Sequence, residues 1–188
     1  MSTKTIGSRE VYRNAWCAMR EDVIERTGPD GVPVRGIYGV MDKTPACIIV
    51  PLERTADGDF LWLVRQFRYT VQGTYFELPQ GGWEMEDVDP EELARGELAE
   101  ETGLRAARMT HLGDQWIAYG AMRQMHHVYL AEGLTQGKTA RDPEEHDMTV
   151  HRVAVREFKD MVLDGRVMDN CSMAAWGLYT VWRERNAG

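Results

Sequence analysis

Three carboxylates are spaced so that they can act on one ligand. Glu97, Glu100 and Glu101 fall at i, i+3 and i+4 of a segment that reads as helix, so their side chains crowd into about 100° of arc. Like charges at that spacing repel by roughly 0.2–0.5 kcal/mol per pair. Either full solvation or a bound cation must offset the repulsion. Leu93, Ala94 and Leu98 flank the same sector, which puts the acids beside the buried side of the helix, where screening is weaker. Just upstream, Glu77-Leu78-Pro79-Gln80-Gly81-Gly82 forms a loop stiffened by its proline and opened by two glycines. A loop carbonyl and clustered carboxylates make a hard, oxygen-rich site that suits Mg²⁺ or Mn²⁺ holding phosphate oxygens. The chemistry such a site performs is metal-assisted attack of water on phosphorus.

The elements that carry these residues follow from local signals. Asp89 can cap, Pro90 suits the first helical position, Glu92 lies three residues after the cap, and Gly103 closes the helix. Val11 to Arg26 reads as strand, Gly28-Pro29-Asp30-Gly31 as a turn and Val34 to Met41 as a second strand, giving an N-terminal antiparallel hairpin. Ala46 to Leu52 and Phe60 to Phe67 are apolar runs about an Ala56-Asp57-Gly58-Asp59 turn, and both read as central strands. Further strands are expected at Met109 to Ile117, Met125 to Ala131 and Thr149 to Val153. Helices are expected from Val155 to Leu163 and from Asn170 to Arg185.

Length and charge narrow the classes. A chain of 188 residues supports one ordinary core. Its 43% hydrophobic and 28% charged residues exclude a disordered or collagen-like chain. With 22 Lys and Arg against 30 Asp and Glu, the net charge of −8 and the absence of a basic run speak against long nucleic acid. The acids concentrate between Glu84 and Glu101 and between Asp142 and Asp147, which points to bound cations. No apolar stretch approaches the roughly 20 residues that span a bilayer, and the N-terminus lacks a secretory core, so a cytoplasmic protein is expected. Cys17, Cys47 and Cys171 form no Cys-x-x-Cys pair and read as buried free thiols, against a disulfide framework or a thiolate zinc site.

Glu97-Leu98-Ala99-Glu100-Glu101-Thr102-Gly103-Leu104 resembles the second half of the Nudix box, and Glu77-Leu78-Pro79 lies ahead of it as in that family. The first half departs from the pattern: counted from Gly82, Val88 stands in the place of the first Glu and Gly96 in the place of the Arg. Counting from Gly81 instead brings Asp87 and Arg95 into those places but adds Gly96 inside the helix, which turns Arg95 by about 100° relative to the glutamates. The first register is preferred, with a loop remodelled around Glu84, Glu86 and Asp87.

The resemblance implies an α+β fold, an α/β/α sandwich with a mixed sheet between helices, in a single domain over 1–188. Residues 1–42 would be a dimer-forming N-terminal extension and 43–185 the Nudix core. It also implies a pyrophosphohydrolase that uses Mg²⁺ or Mn²⁺, with Glu97, Glu100, Glu101 and the main-chain carbonyl of Gln80 as metal ligands and Glu97 alternatively as base or orienting group. The branch resembled is the one acting on ADP-ribose and other nucleoside diphosphate sugars, because Val64-Arg65-Gln66-Phe67-Arg68-Tyr69 looks like its Val-x-Gln-x-Arg strand. Relatives of that branch carry a later acidic loop, which makes Glu145, with Glu144 second, a catalytic candidate in Asp142-Pro143-Glu144-Glu145-His146-Asp147. Their Pro-Gly loop has no proline counterpart in Tyr119 to Gln124.

Several residues are open to two readings. Arg68 either grips a phosphate bidentately or forms a structural ion pair. Trp16, Trp83 and Trp116 either stack on a nucleobase or pack. Arg123 and Gln124 present donors to a sugar or a terminal phosphate, and His126 and His127 read as packed or solvent-facing rather than catalytic. Two other functions compete with a nucleoside diphosphate sugar hydrolase. One is a Nudix-fold binding module or sensor without hydrolysis, and the other a hydrolase of dinucleotides, nucleoside triphosphates or capped RNA ends.

Overall fold

A computed structural model describes residues 2–82, 88–137 and 147–186. Two compact units emerge from it, one containing residues 2–45 and 116–125 and the other the remaining described residues.

The first unit is a meander. β1 (Ser2–Arg13) pairs antiparallel with β2 (Ala18–Thr27), and β2 pairs antiparallel with β3 (Pro33–Asp42). The expected hairpin is present as β2 and β3, turned at Gly31, whose φ of 74° is the left-handed conformation that favours glycine. The expected strand from Val11 to Arg26 is instead broken at 14–17, where Asn14 Oδ1 accepts from the Trp16 and Cys17 amides, both at 2.9 Å. The polar residues before that break form β1. A two-residue strand, β9 (Met122–Arg123), closes the sheet beside β3 in parallel.

The second unit is a mixed sheet of β4 (Ala46–Thr55), β5 (Gly58–Arg68), β8 (Leu104–Trp116), β10 (Met125–Gln136) and β11 (Thr149–Ala154). Across the sheet their order is β11-β5-β4-β10-β8. β4 and β10 are parallel, whereas β4 and β5 are an antiparallel hairpin about the predicted turn. That hairpin pairs only from Leu52 to Thr55 against Gly58 to Leu61, after which the two strands splay. β6 (Gly73–Glu77) takes the freed edge of β5, and β7 (Gln80–Gly81) takes that of β4. The segment from Glu77 to Gly81 therefore bridges the mouth of a V, and the Ile49 amide donates to the Pro79 carbonyl at 2.9 Å.

β4 is buried on both faces, which is why its sequence is continuously apolar rather than alternating. Ile48, Val50 and Leu52 pack with Leu61, Leu63, Leu130 and the helices α2 (Val155–Leu163) and α3 (Asn170–Asn186) through Phe158, Met161 and Tyr179. Cys47 and Ile49 point the other way, against Leu93, Ala94 and Leu98 of α1 (Pro90–Thr102). Helices thus cover both faces of the sheet, as the α/β/α expectation required. Among the described residues no helix is long and apolar enough to cross a membrane.

Candidate active site

α1 begins and ends as its sequence dictates. The Asp89 carboxylate accepts from the Glu91 and Glu92 amides, both at 3.0 Å, and Gly103, at φ 74°, returns its amide to the Ala99 carbonyl. This fixes the rotation of the helix, and Leu93, Ala94 and Leu98 are buried with the acidic sector beside them. Glu97 is only 8% exposed and Glu101 only 2%, and Glu100 is half-buried. The acids are therefore not a solvated face.

Their carboxylates meet the segment in the mouth of the V. The Gln80 amide donates to Glu101 Oε2 at 3.2 Å. A Cβ at Gly81 would lie 2.6 Å from the Glu97 carboxyl carbon, so the absent side chain is the space that Glu97 occupies. Cys47 lies against the same place, its Sγ 3.6 Å from the Gly81 carbonyl. Burial, with Glu97 and Glu101 adding to it, pushes the Cys47 thiol well above its ordinary value. Cys17 and Cys171 are only half-buried.

A polar network holds the loop from behind. Glu77, 3% exposed, accepts from Arg68 Nη2 at 2.8 Å and from Gln80 Nε2 at 3.0 Å through its Oε2, while its Oε1 is buried with no hydrogen bond among the described residues. Burial pushes the Glu77 carboxyl up despite Arg68. Burial pulls Arg68 down, but its pairing with Glu77 and the nearby Glu101 and Asp169 charges hold it above its ordinary value. Gln80 Nε2 also donates to Asp169 Oδ2 at 2.9 Å. Asp169 caps α3 by accepting from the Cys171 and Ser172 amides, and Ser172 Oγ receives the Leu78 amide at 2.8 Å. Glu77, Asp169 and Ser172 did not stand out as site residues in the sequence. The one signal for Asp169 and Ser172 was a capping spacing ahead of an apolar helix.

The remaining candidates divide as follows. Glu97 and Glu101 are brought to Gln80 and Gly81, and Glu100 lies between them on the same helix. Arg68 is in an ion pair with Glu77. Arg95 is turned to Glu91 Oε1 and the Ala106 carbonyl, at 2.8 and 2.9 Å. Arg123 is paired with Asp42, which also holds Arg20, and Gln124 Nε2 donates to the Thr44 carbonyl at 3.0 Å. Trp16 is exposed on the turn after β1. In that first unit Tyr38, Trp116, Tyr119 and Arg123 line an open groove of about 300 Å³. His126 is buried, and His127 Nδ1 lies 2.8 Å from Asp114 Oδ1, as does His111 Nε2. His111, Asp114 and His127 form a three-residue cluster able to hold a metal ion. Trp83, Glu84, Glu86, Asp87, Glu144 and Glu145 lie outside the described residues.

Around α1 the Glu97 and Glu101 carboxylates are buried beside Gln80 and Gly81 with Glu100 half-buried next to them, and carboxylate oxygens are the donors that a hard divalent cation takes. Gly81→Ala tests this geometry. The new Cβ displaces the flexible end of Glu97 rather than backbone, so the melting temperature should hold while kcat falls by about 10- to 100-fold, the cost expected if Glu97 is a metal ligand. A wild-type kcat in this variant would remove Glu97 from the site.

A NUDIX domain model matches residues 42–170, and a model of the nucleoside diphosphate sugar hydrolase N-terminal domain matches residues 3–41. The chain is 31% identical over 172 residues to an ADP-ribose pyrophosphatase of Mycobacterium tuberculosis, covering 91% of this chain and 80% of the relative. It is 28% identical over 173 residues to a GDP-mannose pyrophosphatase of Pectobacterium atrosepticum, covering 87% of each. Among solved structures, that of an ADP compounds hydrolase aligns with a TM-score of 0.77 at 19% identity, over 99% of this chain and 96% of that one.

Proposed function

Since the chain belongs to the NUDIX family and is an enzyme of the pyrophosphohydrolase type, we propose that it hydrolyses the diphosphate linkage of a nucleoside diphosphate sugar, ADP-ribose being the leading candidate. The observation that carries this reading is the burial of Glu97 and Glu101 against Gln80 and Gly81. Three carboxylates gathered on one helical sector beside this segment offer the oxygen donors that a hard cation bound to a diphosphate takes. The N-terminal match to nucleoside diphosphate sugar hydrolases, and relatives named for ADP-ribose and GDP-mannose, support the substrate class.

Glu97, Glu100, Glu101 and the Gln80 carbonyl would hold Mg²⁺ or Mn²⁺, which when bound neutralises the phosphates and acidifies a water. Within this chain, Glu101 is oriented by the Gln80 amide, and Gln80 by Glu77 and Asp169. The carboxylate that takes the water's proton is Glu97 or, from the later acidic loop, Glu145. Arg68, positioned by Glu77, offers its half-exposed guanidinium to a phosphate. The aromatic groove with Trp116, Tyr119 and Arg123 is of a size and character that suits a nucleoside, with Gln124 beside it and Trp16 in the same unit.

The same N-terminal sheet supports a homodimer, since Ile6, Val11, Val34 and Ile37 are exposed on its strands. A cytoplasmic setting accords with small soluble nucleotides as substrates. One panel tests the reading: nucleoside diphosphate sugars, dinucleotides and triphosphates are incubated with Mg²⁺ or Mn²⁺ and the products weighed, with light scattering on the same sample. Nucleoside monophosphate and sugar phosphate from a nucleoside diphosphate sugar, at the mass of two chains, are expected. Turnover of triphosphates alone would move the substrate class. With Gly96 in the place of the box arginine and Arg95 turned to Glu91, the outcome that would overturn the reading is ligand affinity with no product at any Mg²⁺ concentration.

A further inference from the structure

His111 and Asp114 stand three apart in β8, a spacing that in a regular strand sends two side chains to opposite faces. Here they meet on one face. Gly113 between them has φ +146°, and a Cβ there would also meet Leu178 Cδ2 at 3.3 Å, so both backbone and space call for glycine. The neighbours across the strand pair record the consequence. The His111 ring lies 5.1 Å from the Tyr129 ring, while Asp114 reaches His127. Three steps along β8 are thus set against two along β10, which is the count of a β-bulge, a device that re-aims side chains.

The re-aimed side chains converge on one point. His111 Nε2 and His127 Nδ1 both lie 2.8 Å from the same oxygen, Asp114 Oδ1, and the three donor atoms fall within 4.8 Å of one another. Burial pushes the Asp114 carboxyl up, but the hydrogen bonds to His127 and His111 outweigh it and hold it below its ordinary value. The Tyr129 ring backs His111, and His127 is the most covered of the three, while the other two side chains are partly open to solvent.

We propose that His111, Asp114 and His127 form a second cation site, distinct in donor chemistry from the carboxylates of α1, which takes a borderline transition metal of the Zn²⁺ class. Two imidazole nitrogens and one carboxylate oxygen are a three-ligand set with a position left for water. Mg²⁺, which prefers oxygen donors, is a poor match for it. Binding requires lone pairs at His111 Nε2 and His127 Nδ1. In the hydrogen bonds to Asp114 these nitrogens carry the hydrogens, so binding moves each hydrogen to the other nitrogen of its ring and exchanges both hydrogen bonds for metal bonds. Contraction of the donors to the roughly 2.0–2.2 Å bonds of Zn²⁺ needs only side-chain rotation at a partly exposed surface.

The test uses the full chain, stripped of metal and then held in excess Mg²⁺, titrated with Zn²⁺ by calorimetry and with Co²⁺ by visible absorption. One equivalent of each should bind. His111→Ala, His127→Ala and Asp114→Asn should each weaken Zn²⁺ binding by at least about tenfold, with melting temperatures showing that the variants are folded. Glu101→Gln should leave Zn²⁺ binding unchanged, which separates this site from the one on α1. Absence of saturable Zn²⁺ binding, equal binding in both histidine variants and the wild type, or loss of binding in Glu101→Gln would each overturn the proposal.

Discussion

Glu101→Gln is expected to reduce kcat by at least about a thousandfold while leaving the protein as stable as the wild type or more so, and Glu100→Gln should do the same. The two effects have one origin. Glu101 is 2% exposed and shares its helical sector with Glu97 and Glu100, so its charge has little water around it and lies near two like charges. Glutamine keeps the shape and an oxygen for the Gln80 amide, which lies 3.2 Å from Oε2, but removes the charge that the proposed metal mechanism needs at this position. Losing one preorganised charge-stabilising group usually costs about 10²–10³ in rate, and losing a metal ligand costs at least as much. Stability gained as activity is lost would mark a functional site under strain. Kinetics at saturating Mg²⁺, paired with urea unfolding, read both quantities. Full turnover in both variants would remove the metal mechanism, whereas loss of turnover with loss of fold would place the glutamates in a structural role.

The second large effect is expected at Glu77, which no part of the chemistry touches directly. Its Oε2 accepts from Arg68 and Gln80, so Glu77→Ala leaves a guanidinium and an amide facing a void. Breaking a fully buried ion pair costs about 3–5 kcal/mol. Arg68 is partly open to water, and about 2–4 kcal/mol is expected here, a loss in melting temperature on the order of 5–15 °C for a chain of this length. Gln80 would lose one of the two acceptors that fix its side chain, and with it the orientation of the amide that meets Glu101, so kcat should fall by a further 10- to 100-fold or so. Glu77→Gln, which keeps the volume and one acceptor, should recover much of the stability. An unchanged urea midpoint in Glu77→Ala would show that the network does not hold the loop.

What could be read in the sequence was what short-range physics decides. The cap at Asp89, the left-handed Gly103 and the apolar row of Leu93, Ala94 and Leu98 act within one helix. Helix, boundaries and the burial of the acidic sector were therefore legible together. The apolar run in β4 announced a strand covered on both faces. β1 was not legible, because Ser2–Arg13 is exposed throughout and owes its extended form to the ladder with β2 rather than to an apolar pattern. The break at Asn14 depends on a side chain bonding its own following amides, which competed with a strand reading of the same residues. Arg68 was balanced between phosphate and ion pair because its partner lies across a strand pair, nine residues along the chain. The convergence of His111, Asp114 and His127 had no local signal either. It needs the irregularity at Gly113 and the neighbouring strand, and neither is visible in a spacing count.

Cys47 sits fully enclosed beside the acids, where burial first, and the charges of Glu97 and Glu101 after it, favour the neutral S–H. A thiol held away from water and toward its neutral form is a poor target for peroxide or alkylating agents. The carboxylates of α1 thereby have at their side a sulfur atom that packs rather than reacts.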